Sequence, residues 1–452
     1  MSSVLFWICE RERFMKLEGK SLKRDFFKFI FPAIAAQWVF ALYTLVDGMF
    51  VARGVSETAL AAVNISSPFI SALFALSLTF AVGTSTIVAI LFGTKKVKKA
   101  NEVFSQNIAV LTGLSVIVTV LVLANLERFC RFLGATELTM PYVKEYIVTI
   151  APFTVCFILS YSFEILISTD GYPQKATTIV SLGVVVNCVL DYLFVMVFHR
   201  GIFGAAIATG ISQTVVIGFY LQHFLGKKGM IKFTKFTFDY RLIWRQIKNG
   251  FPSGITELSA GVATFAFNQA ILIFLNEEAL VSYTIISYVN SLIVVSMIGI
   301  SQGCQPLISY YYGKREREKC KKLFHYELMT ATALSVCAVV FCFFAADWIV
   351  SVFVSDQMPE LVAYSAQVFR IFCVSFLMVG YNIVTSGYFT AVEKPGAAVT
   401  ISMGRGFVIL IISLLILTVL FGGNGIWWAP VLSETVCLTI TIALYSRTIR
   451  KE

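Results

Sequence analysis

The sequence predicts an all-α polytopic membrane protein with twelve transmembrane helices in two pseudo-symmetric six-helix lobes. Two observations lead to this fold class: the composition is strongly apolar, and the second half of the chain repeats the first. Mean hydropathy is +0.80, and 58% of the 452 residues are hydrophobic while 14% are charged. Soluble domains carry about 25% charged residues. A chain this apolar is expected to cross the lipid bilayer as helices, which satisfy their own backbone hydrogen bonds.

Twelve apolar runs are long enough to span a membrane, since a spanning helix needs roughly 20 apolar residues. The runs lie at 29–52, 61–92, 103–124, 139–167, 176–198, 202–224, 246–275, 279–312, 323–345, 359–390, 397–420 and 425–446. They leave little chain for a soluble domain. An even number of crossings places both termini on the same side of the membrane.

The basic residues identify that side. Of the 36 Lys and Arg residues, 29 fall on the side that holds both termini and five on the other. Because an excess of Lys and Arg marks the cytoplasmic face, both termini are predicted to be cytoplasmic. The net charge of +10 is therefore a topology signal, and nucleic acid is not an expected partner.

The two halves of the chain align with an offset of 220 or 221 residues. Gly83 meets Gly303 and Gly93 meets Gly313 at the first offset, and Gly201 meets Gly422 at the second. Each half has an even number of helices, so the repeat is parallel and its pseudo-twofold axis follows the membrane normal. Transporters built in this way bind substrate between their halves and alternate access around the site.

The repeat divides the chain into five parts. They are a cytoplasmic N-terminus at 1–28, a first lobe with helices one to six at 29–224, a basic cytoplasmic linker at 225–248, a second lobe with helices seven to twelve at 249–446, and a cytoplasmic tail at 447–452. The linker is expected to include a short surface helix. We also expect the true start to be Met15, because MKLEGKSLKRDFFKF leads naturally into the first helix.

Asp47 is the single charge in the apolar stretch FIFPAIAAQWVFALYTLVDGMFVA. A charge at the bilayer centre costs about 2.5–3.5 kcal/mol on insertion scales and usually marks a functional site. Tyr43 lies four residues earlier, on the same face of the helix. Pro32 lies further back in the helix and can kink it.

The fifth and sixth runs add further polar groups. NCVLD places Asn187 and Asp191 on one helical face, and GAAIAT does the same for Ala205 and Thr209. If these groups meet Asp47, the resulting set suits a proton or a sodium ion, because paired carboxylates in a poorly hydrated pocket can titrate near neutral pH.

The second half lacks this set, since Asp47 aligns with Phe267 and Asp191 with Ile412. Ion binding is therefore expected in the first lobe. Glu257 aligns with Gln37, so that position is polar in both halves. Glu257 is a candidate for a cationic substrate or a second-lobe ion, and a structural hydrogen bond is the alternative.

Other embedded charges have less specific interpretations. Arg405 and Glu434 fall at similar depth on consecutive helices and are expected to form a structural ion pair. Arg370 has no evident partner, and Glu164 is expected to reach water near a helix end.

An enzyme is not expected. The sequence contains no GxxxxGK[ST], HExxH or GxSxG motif, and the three histidines form no cluster. No cofactor is predicted other than H⁺ or Na⁺ as a coupling ion.

These motifs together resemble the multidrug and toxic compound extrusion (MATE) transporters. The resemblance rests on Pro32 followed by LYTLVDGMFVARG, on ALAAVNISSPF, on the basic loop after Gly93, on NxxxD and GAAIAT, and on the FP pair that opens helix seven. The resemblance covers residues 26–446, and the motif sequences are most similar to those of the bacterial multidrug exporters.

The resemblance implies a monomer in a bacterial plasma membrane that exports organic cations as protons or sodium ions enter. Family ion ligands match Asp47, Asn187, Asp191 and Thr209, and the Tyr and Pro linked to bending of helix one match Tyr43 and Pro32. Glu257 matches one member of a second-lobe acidic pair. The partner on helix ten is missing, because residues 364–391 contain no Asp or Glu.

Two alternatives stay open within the same superfamily. A lipid-linked oligosaccharide flippase is expected to line its cavity with several arginines, whereas only Arg370 and Arg405 are embedded here. A narrow metabolite exporter would show the same sequence features as a multidrug exporter.

Overall fold

The computed structural model describes residues 21–226, 229–354 and 358–449, and these ranges are almost entirely helical. The expected start at Met15 lies outside them. The membrane helices α1 to α12 are, in chain order, Leu22–Gly54, Glu57–Gly93, Val97–Ala124, Met140–Thr169, Pro173–Val197, Gly201–Leu225, Tyr240–Phe274, Glu277–Gly313, Arg317–Phe344, Pro359–Ala391, Pro395–Phe421 and Gly425–Ile449. Short helices at Leu126–Leu133 and Ala346–Ser351 follow α3 and α9.

Eleven stretches in the described ranges are long and apolar enough to cross a membrane, and the last of them, Pro395–Thr448, contains two helices. A 3₁₀ turn at Gly422–Asn424 separates α11 from α12. Gly422 has φ +59°, a conformation that glycine adopts without steric cost. The predicted twelve-helix architecture is therefore confirmed.

Four membrane helices are locally irregular, and in α10 the irregularity is a turn at 374–375. A 3₁₀ turn at Ala151–Phe153 interrupts α4 at Pro152. A π-helical segment, Tyr192–Val197, follows Asp191 in α5, and another, Gly404–Val408, contains Arg405 in α11. π segments within α-helices are frequent at functional sites, and here each lies at a residue that the sequence singled out.

The backbone preserves the internal repeat. Lys95 after α2 and Arg315 after α8 both have positive φ, at 62° and 61°, and they are aligned positions of the two halves. A left-handed conformation is uncommon for residues with a Cβ. Because this conformation recurs at aligned positions, the two lobes share the same backbone geometry at this turn.

The lobes meet along a glycine seam at the end where the linker lies. A Cβ added at Gly83 in α2 would lie 1.9 Å from the Gln246 carbonyl oxygen in α7, and one at Gly250 would lie 1.7 Å from the Thr79 carbonyl oxygen. At the pseudo-symmetric crossing, a Cβ at Gly303 in α8 would lie 3.0 Å from Ile30 Cα in α1. The helix backbones are therefore in direct contact and close this end of the lobe interface.

The linker has no separate surface helix in its described part, so that expectation is wrong. Residues 229–239 are non-helical, and 240–248 form the first turns of α7. Asp170 Oδ1 accepts hydrogen bonds from the Met230 and Ile231 amides at 2.8 and 3.0 Å. The Lys232 amide donates to Asn101 Oδ1 at 3.1 Å. The linker backbone thus takes its hydrogen-bond partners from the first lobe instead of from a helix.

We call the hydrogen bonds of Asp170 and Asn101 to the linker amides the linker clamp, and Asp170 lies at its centre. His223 Nε2 lies 2.8 Å from Asp170 Oδ2, and both side chains are fully enclosed. Burial raises the pKa of Asp170, while the bond with His223 and the two amide donors oppose that shift.

Candidate functional site

Helices α1, α5 and α6 bring the predicted ion-binding residues together inside the first lobe. Asn187 Nδ2 donates to Thr209 Oγ1 at 3.4 Å, and Thr209 Oγ1 donates to the Ala205 carbonyl oxygen at 3.0 Å. The Tyr43 hydroxyl lies beside Thr209 and within electrostatic range of Asp47. Residues that are up to 166 positions apart in sequence thus form one polar cluster, which we call the acidic pocket.

The two carboxyl groups of the acidic pocket interact closely with each other. Asp191 is completely buried, and Asn187 is 1% exposed. Asp47 Oδ1, Asn187 Oδ1 and both Asp191 oxygens are buried without a hydrogen-bond partner among the described residues. Four unpartnered oxygens are costly in a low-dielectric interior unless a proton or cation satisfies them. Oxygen ligands also suit a hard cation such as Na⁺.

Tyr146 in α4 completes the acidic pocket and was missed in the sequence. Its side chain is 7% exposed and lies within electrostatic range of both Asp47 and Asp191. Tyr146 carries no charge and lies in no repeated motif, so only the packing of α4 on the other helices reveals it.

The equivalent place in the second lobe is apolar. Phe267, which aligns with Asp47, stacks on Tyr283 with ring centroids 5.0 Å apart and lies 6.4 Å from the Phe372 ring. Both Phe267 and Tyr283 are buried. At this pair of equivalent places, therefore, the first lobe has a carboxylate and the second lobe has an aromatic ring.

A cavity of about 160 Å³ lies between the lobes. Glu257 and Gln37 line it, as do Tyr161, Gln302 and Arg405. Gln37 Nε2 donates to Gln302 Oε1 at 3.1 Å, which links α1 to α8 across the lobe interface. No ion pair to Glu257 occurs within the described ranges, so its carboxyl group is available to the cavity.

An aromatic partition separates this central cavity from the acidic pocket. Phe40, Phe74 and Tyr161 line both the central cavity and a smaller one of about 40 Å³ that reaches Tyr43 and Asn187. The Phe74 ring lies 5.5 Å from that of Phe40 and 5.4 Å from that of Tyr161. Three aromatic rings therefore form the wall between the two sites.

Glu164 also lines the smaller cavity. It was expected to reach water at the end of its helix. The structure instead turns its side chain into the lobe, because this face of α4 packs against α5 and α6.

The two embedded arginines have different environments. Arg405 Nε and Nη2 donate to Glu434 Oε1 at 3.1 and 2.9 Å, and Glu434 Oε2 accepts from Asn382 Nδ2 at 2.7 Å. Arg370 pairs with Asp347 in the short helix after α9. Of these two arginines, only Arg405 reaches the central cavity, and Glu434 already neutralises its charge.

The protein-family model described as MatE matches residues 32–193 and 252–421 of the chain. A curated relative, the multidrug export protein MepA of Staphylococcus saprophyticus, is 24% identical over 431 residues, which are 94% of each protein.

Solved structures with the same fold include one described as an outward-facing conformation of a multidrug resistance MATE family transporter of the MOP superfamily. It has a TM-score of 0.88 at 22% identity and covers 95% of this chain and 96% of that one. A structure described as MATE in the bent conformation also has a TM-score of 0.88 at 22% identity, with 95% of each chain covered. The two-lobe fold is thereby confirmed.

Proposed function

Because the chain belongs to the MatE family, we propose that it is a multidrug efflux transporter that exports amphipathic organic cations in exchange for H⁺ or Na⁺. The curated relative and a structural neighbour are both described as multidrug transporters. The observation that carries the proposal is the buried acidic pocket in one lobe, set beside a cavity between the lobes.

The coupling ion acts first at Asp47 and Asp191. Two carboxylates in a poorly solvated pocket repel each other, so a bound proton or Na⁺ relieves the repulsion and draws α1 toward α5. The ion can shift the conformational equilibrium only by binding one conformation more tightly than the other. In this proposal, the two conformations differ in how α1 packs on α5.

Pro32 gives α1 a place to bend. Proline has no backbone N–H and removes one helical hydrogen bond. The Pro32 carbonyl oxygen accepts a hydrogen bond from Thr177 Oγ1 of α5 at 2.7 Å, so the bending point is tied to the helix that carries Asp191. Further along α1, Trp38 Nε1 donates to Ser296 Oγ of α8 at 2.8 Å. Movement of α1 is thereby transmitted to the second lobe.

The substrate occupies the central cavity. Glu257 supplies a negative charge, and the faces of Phe40, Phe74 and Tyr161 attract a cation with an apolar body. Because these rings also bound the cavity of the acidic pocket, a change in the ion state moves a wall of the substrate site. Release on the opposite side requires the lobes to separate at one end and close at the other.

The cavity chemistry favours cations over a lipid-linked pyrophosphate. Arg405 is neutralised by Glu434, and Arg370 pairs with Asp347 away from the central cavity. Glu257 would repel a pyrophosphate. A narrow metabolite exporter would use the same geometry, and a panel of substrates distinguishes it from a multidrug exporter.

The test is ethidium efflux from right-side-out membrane vesicles that are preloaded with ethidium and placed under an imposed pH or sodium gradient. The wild type, Asp47→Asn and the control Glu145→Gln, which removes an exposed carboxylate, are compared. We expect wild type and control to follow one gradient and Asp47→Asn to lose that response. Full gradient-driven efflux by Asp47→Asn would refute the role of the acidic pocket. Efflux by no variant under either gradient would refute multidrug export and favour a narrow metabolite exporter or the lipid flippase.

A further inference from the structure

A groove of about 770 Å³ opens between the first turns of α1 and α5, on the face that carries the basic loops. Arg24 and Lys28 lie on the α1 wall, one helical turn apart. Gln174 and Thr178 lie on the α5 wall. Within the described ranges, neither cation of the groove forms an ion pair.

Deeper along α1, the same groove becomes apolar. The Phe27 and Phe31 rings stack with centroids 5.3 Å apart and an interplanar angle of 18°. Phe31 is 64% exposed, and Pro32 and Ala35 continue the apolar wall. A ligand that fills this groove must therefore carry negative charge at one end and hydrocarbon along the rest.

We propose that the groove binds a phospholipid with an anionic headgroup. The headgroup phosphate contacts Arg24 and Lys28, and an acyl chain lies along Phe31 and Ala35. The position supports this occupant, because the groove begins at the basic end of α1, where anionic lipids of the cytoplasmic leaflet are attracted to Lys and Arg. The cationic end and the apolar wall follow each other in the order that a lipid requires.

The groove is a property of the first lobe and is not a general result of the repeat. The positions aligned with Arg24 and Lys28 are Trp244 and Lys248. Lys248 Nζ lies 5.4 Å from the centre of the Trp244 ring and already has a partner. One lobe thus offers two unpaired cations, whereas the other offers a single engaged cation.

The lipid would also contact the bending point of α1. Thr177 and Pro32 both line the groove, and they are joined by the hydrogen bond at 2.7 Å. Occupancy of the groove therefore supports α1 at the place where the transport proposal requires it to bend. The lipid site itself does not depend on that proposal.

The experiment counts phospholipids bound to the purified full-length chain by native mass spectrometry. Phosphatidylglycerol and phosphatidylcholine with identical acyl chains are titrated in separate samples. Arg24→Gln/Lys28→Gln removes the two cations, and Lys98→Gln/Lys99→Gln is the control that removes two exposed cations from the same face. Ser181→Trp leaves both cations in place and fills the groove.

We expect the wild type and the control to bind the first phosphatidylglycerol more tightly than phosphatidylcholine. Removing the groove cations should weaken that binding by about fivefold for each cation, and Ser181→Trp should weaken it comparably. Unchanged phosphatidylglycerol binding by Arg24→Gln/Lys28→Gln would overturn the proposal. Loss in that variant with unchanged binding by Ser181→Trp would also overturn it, since general charge attraction would then suffice.

Discussion

The carboxyl groups of Asp47 and Asp191 interact across the contact between α1 and α5, and three of their four oxygens are buried without a hydrogen-bond partner among the described residues. The two residues are 144 positions apart in the chain. Their meeting creates a site that a proton or a small cation can satisfy. That site explains why an otherwise apolar first helix keeps one aspartate.

Asp191→Asn should impair ion-coupled efflux as severely as Asp47→Asn, because each carboxylate supplies half of the charge that holds the ion. A hydrogen bond to a charged group contributes about 1.5–3 kcal/mol, so we expect gradient-driven efflux to fall about tenfold or more. The measurement is ethidium efflux at equal protein content. An Asp191→Asn protein with wild-type coupling would show that Asp47 acts without this partner.

Gly250→Ala should prevent closure of the glycine seam, because a Cβ there would lie 1.7 Å from the Thr79 carbonyl oxygen. Spin labels at the aligned positions Lys98 and Glu318 report the distance between the lobes at the linker end. We expect that distance to lengthen and efflux to fall. Gly261→Ala is the matched control, since a Cβ at Gly261 on the same helix meets no atom within 4 Å. Equal distances in the two variants would contradict a closed seam.

Glu434→Ala should destabilise the second lobe, because it leaves the Arg405 guanidinium largely buried without its counter-ion. Removing one partner of a buried pair costs ~3–5 kcal/mol. Thermal unfolding of the detergent-solubilised protein should therefore begin at a clearly lower temperature. Arg405→Met/Glu434→Leu should recover much of that loss. A double variant no more stable than Glu434→Ala would argue against an ion pair as the cause.

Asp170→Ala should release the linker from the first lobe, because the Met230 and Ile231 amides lose their acceptor. Trypsin should then cleave at Lys232 and Lys235 faster than in the wild type. Glu318→Ala, which removes an exposed carboxylate from another loop, serves as the control. Cleavage at the wild-type rate would show that two other hydrogen bonds hold the linker without Asp170, from the Lys232 amide to Asn101 Oδ1 and from the Thr234 amide to Ser105 Oγ.

The sequence was sufficient for the membrane helices, the repeat and most of the acidic pocket. Apolar length and helical spacing are local properties, and Asn187 and Asp191 share a face whatever they pack against. Tyr146, the interior position of Glu164 and the linker clamp were not predictable in the same way. They depend on which helices become neighbours, and a buried tyrosine or a loop aspartate has no local signature. The linker was misjudged because its backbone finds acceptors on α3 and at Asp170.

The most direct test of ion-coupled export is the release of bound ion when substrate is added to the purified protein. Ethidium is mixed with the wild type, Asp47→Asn or Glu145→Gln, and released protons are followed with a pH indicator while displaced Na⁺ is followed with ²²Na⁺. The account predicts release of one of these ions from the wild type and the control, and no release from Asp47→Asn. Equal release from Asp47→Asn and the wild type would contradict the assignment of the acidic pocket as the coupling site.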